Sequence, residues 1–368
     1  MLQEWSITVT ETYYTQAVHG PYEVFDAGDF TLASGEVLRG LQIAYATHGT
    51  LSENKDNVIL FPSWYSGTSK ILEQAYIGEG RALDPSKYFI ILVNQIGNGL
   101  SSAPQNTPAP FNAASFPYIS IEDDVRAQHL LLTKKFGISK LALVLGGSMG
   151  AQQTYEWAVR FPDFVERAAP IAGTAKGTAH NKLLVETFKG AIMSDPRWDG
   201  GWYGDRSEVH KGLRRHARVF AASGFTPKLY NTEGWRGLGF TTPDDFLTGF
   251  VEGYFLPMDP NNLLTMLSKW HDGDVTRMTN GCLKTALSRI TAQVSVIAIK
   301  EDVFFPLADI EAEQKLIPGS ELKVISSDWG HLALFGVDAG YNAAIDTHLK
   351  ALLAKKPAKQ AKHATADA

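Results

Sequence analysis

Short runs of apolar residues recur along the chain with little alternation between apolar and polar positions. They occupy residues 57–61, 88–93, 141–145, 167–172, 294–299 and 322–325. Each run spans four to six residues, and most are rich in Val, Ile or Leu. Strands that are buried on both faces have this pattern. The runs therefore predict a parallel sheet that is covered by helices.

Other segments predict the elements around this sheet. Residues 30–32 and 41–45 flank a Ser34-Gly35 turn, which is typical of an antiparallel hairpin. Helical patterns alternate with the apolar runs, over residues 71–83, 121–136, 151–160 and 339–353. The alternation of strand and helix predicts an α/β fold with a doubly wound, mostly parallel sheet.

The pattern changes over residues 177–288. Strand-like runs are absent from the sequence here, and helical fragments are interrupted by Gly and Pro. We expect a helical lid subdomain inserted into one catalytic domain, which comprises residues 1–176 and 289–354. Residues 355–368 are rich in Lys and Ala, and we expect them to form a disordered tail.

Composition excludes several classes of protein. The 368 residues are 44% hydrophobic and carry a net charge of −5, which disfavours disorder and nucleic-acid binding. Cys282 is the single cysteine, so no internal disulfide can form. The longest apolar run falls far short of the roughly 20 residues of a membrane helix. Neither a leader nor a metal-binding motif is visible, so we expect a cytoplasmic protein without a metal site.

One motif carries chemistry. Gly146-x-Ser148-x-Gly150 follows an apolar run and precedes a helical segment. This strand–turn–helix setting is that of the nucleophile elbow, in which a sharp turn exposes a serine. The N–H of Met149 lies at the start of the new helix, where it can donate to a developing oxyanion. The pattern therefore predicts Ser148 as a nucleophile.

A nucleophilic serine needs a base and an orienting carboxylate, which follow it along the chain as Asp or Glu and then His. Asp302 and His331 both come directly after predicted strands, at the sheet edge where α/β proteins bind ligands. Glu301 is the main rival of Asp302, and Asp309 is a weaker one. His348 also follows them but lies inside the last predicted helix.

Over residues 40–350 the chain resembles the homoserine O-acetyltransferase family of α/β-hydrolases. The matching stretches are Tyr45-x-Thr47-x-Gly49-Thr50-Leu51, Asp84-x-x-x-Tyr88-Phe89-x-Ile91, residues 146–150, Asp195-Pro196-x-Trp198-x-Gly200-Gly201-x-Tyr203, Asp302-x-x-Phe305-Pro306 and Gly330-His331. The resemblance implies an α/β-hydrolase fold, Ser148 as nucleophile with Asp302 and His331 as partners, and a lid that builds a homodimer. It also implies an oxyanion hole formed by the amides of Met149 and Trp64, with Tyr65 as the fallback for Trp64.

The chain departs from that family where the acyl acceptor binds. Leu332 replaces an aspartate that meets the homoserine amine, and Lys189 aligns with an arginine that holds its carboxylate. The segment Gly253-Tyr254-Phe255-Leu256-Pro257 replaces Tyr-Arg-Gln-Gly. We therefore expect an apolar substrate pocket formed by Leu332, Trp64, Tyr65 and Lys189.

These departures favour an esterase branch of the family. We expect hydrolysis of short alkyl esters, acetates above all, with water as the second substrate and no cofactor. The alternatives are a homoserine or other alcohol O-acetyltransferase that uses acetyl-CoA, and an inactive α/β-hydrolase that serves as a binding module.

Overall fold

A single eight-stranded sheet organises the protein, for which a computed structural model describes residues 13–357. Its strand order is β1-β2-β4-β3-β5-β6-β7-β8. The strands are β1 Glu23–Thr31, β2 Val37–His48, β3 Val58–Pro62, β4 Phe89–Val93, β5 Leu143–Gly147, β6 Arg167–Ile171, β7 Gln293–Ile299 and β8 Glu321–Ile325. Every apolar run that predicts a strand overlaps one of them.

The pairing is mostly parallel. β1 and β2 form the predicted antiparallel hairpin, and β2 also pairs antiparallel with β4. From β4 onward all neighbouring strands are parallel. The predicted α/β fold with a doubly wound, mostly parallel sheet is therefore confirmed.

Thirteen α-helices accompany the sheet in residues 13–357. They are α1 Gln16–His19, α2 Ser69–Tyr76, α3 Ile121–Leu130, α4 Met149–Arg160, α5 Ala179–Met193, α6 His210–Gly224, α7 Pro227–Asn231, α8 Pro243–Phe246, α9 Gly253–Phe255, α10 Pro260–His271, α11 Leu283–Leu287, α12 Leu307–Gln314 and α13 Ala339–Leu353. Wider π-helical turns extend α3 over Leu131–Lys135 and α8 over Leu247–Glu252.

Side chains of the strands alternate between two hydrophobic cores, one on each face of the sheet. In β3, Val58 and Leu60 belong to the core that includes α3 and α4, whereas Ile59 and Phe61 belong to the core that includes α2 and α13. Both faces are buried, which is why the central strands read as continuous apolar runs.

Two predicted elements differ from the structure. The helix expected over 71–83 ends at Tyr76, because Gly78 and Gly80 follow it and Gly80 adopts a φ of +74°. The strand expected over 141–145 lies instead at Leu143–Gly147, and α4 already begins at Met149. The turn that contains Ser148 is therefore tighter than the sequence indicated.

Helices α5 to α11 lie between β6 and β7, where the sequence indicates an insertion. We call residues 177–288 the helical insertion, and its status as a separate lid subdomain stays a prediction. The predicted disordered tail falls mostly on residues 358–368, outside the described residues. None of the helices described has the length and apolarity that a bilayer crossing requires.

Candidate active site

Ser148 occupies a strained turn between β5 and α4. Its backbone has φ 55° and ψ −124°, a conformation that side-chain-bearing residues rarely adopt. The turn is so tight that a Cβ at Gly146 would lie 2.2 Å from the carbonyl oxygen of Gly150. The Ser148 N–H donates to the carbonyl of Ile171 in β6, 2.9 Å away, and this bond fixes the turn against the sheet.

The structure brings Ser148, His331 and Asp302 into one hydrogen-bonded chain. Ser148 Oγ lies 2.9 Å from His331 Nε2, and His331 Nδ1 lies 2.7 Å from Asp302 Oδ2. All three residues are buried, with 4%, 5% and 4% of their surfaces exposed, respectively. In this geometry the imidazole can accept the serine proton while the carboxylate orients the ring.

Backbone donors hold the Asp302 carboxylate in place. Its Oδ1 accepts hydrogen bonds from the N–H groups of Phe304, at 2.7 Å, and Phe305, at 3.1 Å. The rival Glu301 points elsewhere, since it accepts from Ser326 Oγ and from the Ser327 N–H. Asp309 lies in the first turn of α12 and His348 within α13. Of the candidate carboxylates, only Asp302 meets His331.

A small apolar cavity opens onto Ser148 and His331. Its volume is about 10 Å³, which is room for roughly one water molecule. The aromatic side chains that line it are Trp64, Tyr65, Phe220, Trp270, Phe304 and Phe335. None of the cavity-lining residues is Lys, Arg, Asp or Glu. An uncharged acyl or alkyl group fits this chemistry better than a zwitterion does.

The two predicted oxyanion donors belong to a residue next to Ser148 and to a residue that lines the cavity. Met149 is the first residue of α4, so its N–H has no partner within the helix. Trp64 lies in the segment after β3, and both it and Tyr65 line the cavity. Gln95 Nε2 and Gln153 Nε2 donate to the Ser63 carbonyl, at 2.5 and 3.2 Å, and so fix the start of this segment.

The structure places two of the predicted pocket residues away from this cavity. Leu332 is buried but does not line the cavity, because its side chain packs against Gly224 of α6, where no Cβ occupies the space. Lys189 lines a different cleft and pairs with Glu186 at 3.0 Å, one helical turn away. Leu334 and Phe335 take the place of Leu332 beside the catalytic candidates.

Larger clefts exist elsewhere in the described part of the chain. One of about 590 Å³ includes Tyr203, Arg206 and Asp259, and the cleft that contains Lys189 measures about 320 Å³. Neither contains Ser148 or His331, so the reactive groups rather than the volume locate the site. Residues 13–357 contain no cluster of three His, Cys, Asp or Glu side chains suited to a metal ion.

Sequence reasoning did not identify which aromatic side chains distant segments contribute to the lining. Trp270 stacks on Phe305 at 5.5 Å, and Phe304 lies 4.5 Å from the ring of His331. The position of Phe304, two residues after Asp302, could have indicated from the sequence that its side chain lines the cavity. Phe220 and Trp270 lie on α6 and α10, and no local pattern indicates which face of these helices reaches the cavity.

Comparison with known proteins identifies the family. A family model described as alpha/beta hydrolase fold matches residues 56–336. The chain belongs to the alpha/beta hydrolase family. An ethyl acetate hydrolase of Pseudomonas veronii is 52% identical to this hydrolase over 342 residues, which cover 93% of this chain and 98% of the relative.

Other relatives agree with this placement of the hydrolase. An acetylester hydrolase from Corynebacterium glutamicum, whose crystal structure is known, is 51% identical in sequence to this chain. The two structures superpose with a TM-score of 0.92, and the match covers 93% of this chain and 98% of that one. A homoserine O-acetyltransferase of Trichormus variabilis is 32% identical over 314 residues, which cover 82% of this chain and 86% of the relative. The predicted resemblance, its esterase branch and the carboxylic ester hydrolase class are confirmed.

Proposed function

We propose that this protein is a serine carboxylesterase that hydrolyses short-chain alkyl esters, acetates above all, through an acyl-serine intermediate. The observation that carries the proposal is the hydrogen-bonded chain from Ser148 through His331 to Asp302, which opens onto an uncharged cavity. The similarity to an ethyl acetate hydrolase supports acetate as the acyl group.

In the first half-reaction, Ser148 Oγ attacks the ester carbonyl carbon and its proton passes to His331 Nε2. Asp302 stabilises the imidazolium that forms. The amides of Met149 and Trp64 donate to the negatively charged oxygen, with Tyr65 as the alternative second donor. When the tetrahedral intermediate collapses, the bond to the alkoxy oxygen breaks and His331 gives its proton to the departing alcohol.

In the second half-reaction, water attacks the acyl carbon and gives a proton to the same His331 Nε2. Collapse of this intermediate breaks the bond to Ser148 Oγ, which recovers the proton, and the carboxylic acid leaves. The cavity beside Ser148 has room for roughly one water molecule. Because water is the second substrate, this half-reaction needs no further polar binding site for an acyl acceptor.

The lining of the cavity argues against homoserine as the acyl acceptor. A bound zwitterion needs a carboxylate near its ammonium and a cation near its carboxylate. Lys189, the one cation predicted there, pairs with Glu186 in another cleft. Leaving both charges of the acceptor unpaired in an apolar site is strongly unfavourable.

A paired kinetic assay tests the proposal. One reaction contains ethyl acetate and water, and the other contains acetyl-CoA and homoserine. We expect efficient release of acetate in the first and negligible O-acetylhomoserine in the second. Rapid acetyl transfer to homoserine with negligible ester hydrolysis would contradict the proposal, and absence of both activities would favour a binding module.

We also propose that two copies associate through the helical insertion. Leu183 on α5 is 70% exposed and Trp202 is 55% exposed, and both are large apolar side chains of this segment. Light scattering after size-exclusion chromatography should give a dimer for the native chain and a smaller species for Leu183→Glu. A monomeric native chain would contradict this association. The cytoplasmic location stays a prediction.

A further inference from the structure

The segment after β3, residues 63–67, is held from two sides; we call it the β3 loop. The core of the catalytic domain holds its first residue. The Ser63 N–H donates to the Val93 carbonyl at 2.9 Å, and Gln95 and Gln153 donate to the Ser63 carbonyl. The beginning of the loop is therefore attached to the sheet.

The helical insertion holds the other end of the β3 loop. The hydroxyl of Tyr65 lies 3.0 Å from His216 Nε2 on α6. The hydroxyl of Tyr254 on α9 donates to the Ser66 carbonyl at 2.9 Å and approaches Ser66 Oγ at 3.2 Å. Trp64, whose amide is the proposed oxyanion donor, lies between these two attachments and the one at Ser63.

The bond between Tyr65 and His216 lies in an environment without charge. His216 is fully buried, and its ring packs edge-on against Phe255 at 4.6 Å and against Phe188 at 5.2 Å. Burial lowers the pKa of His216 to about 3 and raises the pKa of Tyr65 well above 10, so both groups are neutral near pH 7. A neutral hydrogen bond in such a dry site is costly to break.

We propose that His216 and Tyr254 are positioning residues that hold the β3 loop so that the Trp64 amide faces the oxyanion. The inference rests on the proposed function, because it assigns the loop a role in stabilising the transition state. Neither side chain needs to touch the substrate. Since the attachments come from the insertion, the oxyanion hole is complete only when α6 and α9 pack on the loop.

Single-atom and isosteric variants test this role. Tyr65→Phe and Tyr254→Phe each remove one hydroxyl oxygen, and His216→Phe removes the ring nitrogen that bonds the Tyr65 hydroxyl. We expect kcat for p-nitrophenyl acetate to fall about tenfold in each, short of the roughly 100-fold or greater loss that follows complete removal of an oxyanion donor. KM should change little, because the lost interaction acts in the transition state.

Three further variants separate positioning from packing. His216→Gln presents a polar atom near the position of Nε2 and should restore kcat. The double variant Tyr65→Phe/His216→Phe should be no slower than the slower single variant, because both changes remove the same bond. Tyr230→Phe is the matched control, since its hydroxyl donates to the Ala221 carbonyl within the insertion, at 3.0 Å. It should keep native kcat.

Binding of an alkyl boronic acid gives a second readout. The tetrahedral adduct with Ser148 places an oxygen in the oxyanion hole, so its affinity should fall by about the same factor as kcat. If kcat and boronate affinity of the Tyr65, His216 and Tyr254 variants stay native while only Tm falls, the positioning role is wrong. If Ser148→Ala itself retains turnover, the proposed function fails instead, and the two failures are thus distinguishable.

Discussion

Replacing Asp302 with asparagine perturbs the proposed site with almost no change in shape. Two backbone N–H groups, those of Phe304 and Phe305, donate to Oδ1 at 2.7 and 3.1 Å. The carbonyl oxygen of an asparagine will take the Oδ1 position, because an amide NH₂ there would face two donors. The NH₂ group is then placed where Oδ2 lies, 2.7 Å from His331 Nδ1.

This arrangement reverses the tautomer of His331. With an NH₂ donor in front of it, Nδ1 has to act as acceptor, and the ring proton moves to Nε2. Nε2 then cannot accept the proton of Ser148 Oγ, which lies 2.9 Å away. The same exchange in a Ser–His–Asp enzyme costs about 10⁴-fold in kcat, which corresponds to about 5.5 kcal/mol of activation free energy. We expect a loss of this size here.

Steady-state hydrolysis of p-nitrophenyl acetate measures the loss. KM should change little, since Asp302 does not line the cavity, and the circular-dichroism melting curve should show an intact fold. Glu301→Gln is the matched control, because Glu301 bonds Ser326 and Ser327 instead of His331. A loss below about tenfold for Asp302→Asn, or an equal loss for Glu301→Gln, would refute the reasoning.

Three other predictions concern residues outside the reacting groups. Lys269→Met should lower the free energy of unfolding in urea by about 3–5 kcal/mol. The reason is that the Lys269 ammonium lies 2.5 Å from the Asp124 carboxylate and that both groups are fully buried. A loss of stability below about 1 kcal/mol contradicts this prediction. Burial lowers the pKa of His216 to about 3, so the unfolded chain binds a proton that the folded chain excludes. The free energy of unfolding should therefore fall as the pH drops from about 6.5 towards 3, by up to about 1.4 kcal/mol per pH unit from this group. His216→Phe should flatten that slope, and an unchanged slope contradicts the assignment. Cys282 is exposed and does not line the cavity, so iodoacetamide should leave ester hydrolysis unchanged, whereas inactivation would contradict the assigned site.

Local patterns were sufficient to predict the sheet and which three candidate catalytic side chains would lie together. A buried strand followed by Gly146-x-Ser148-x-Gly150 predicts a sharp turn from the local sequence alone. A side chain at either glycine would crowd neighbouring backbone atoms. Asp302 follows β7 and His331 follows β8, so chain order and strand ends predicted that they would meet Ser148. The structure brings all three together as expected.

The pocket could not be predicted in the same way, because its walls come from distant segments. Leu332 follows His331 directly, yet its side chain turns towards Gly224, and this depends on how α6 packs. His216 and Tyr65 are 151 residues apart, and nothing in either local sequence indicates their hydrogen bond. Family alignment gave Lys189 a role in the pocket, but its side chain lies in another cleft.

Trapping the acyl-enzyme tests the central claim most directly. The native protein would be mixed with p-nitrophenyl acetate, quenched in acid during turnover, digested and mapped by mass spectrometry, with Ser148→Ala treated in parallel. We predict one acetyl group on the peptide that contains Ser148, and neither this adduct nor turnover in the variant. An acetyl adduct on another side chain, or turnover that persists in Ser148→Ala, would contradict the account.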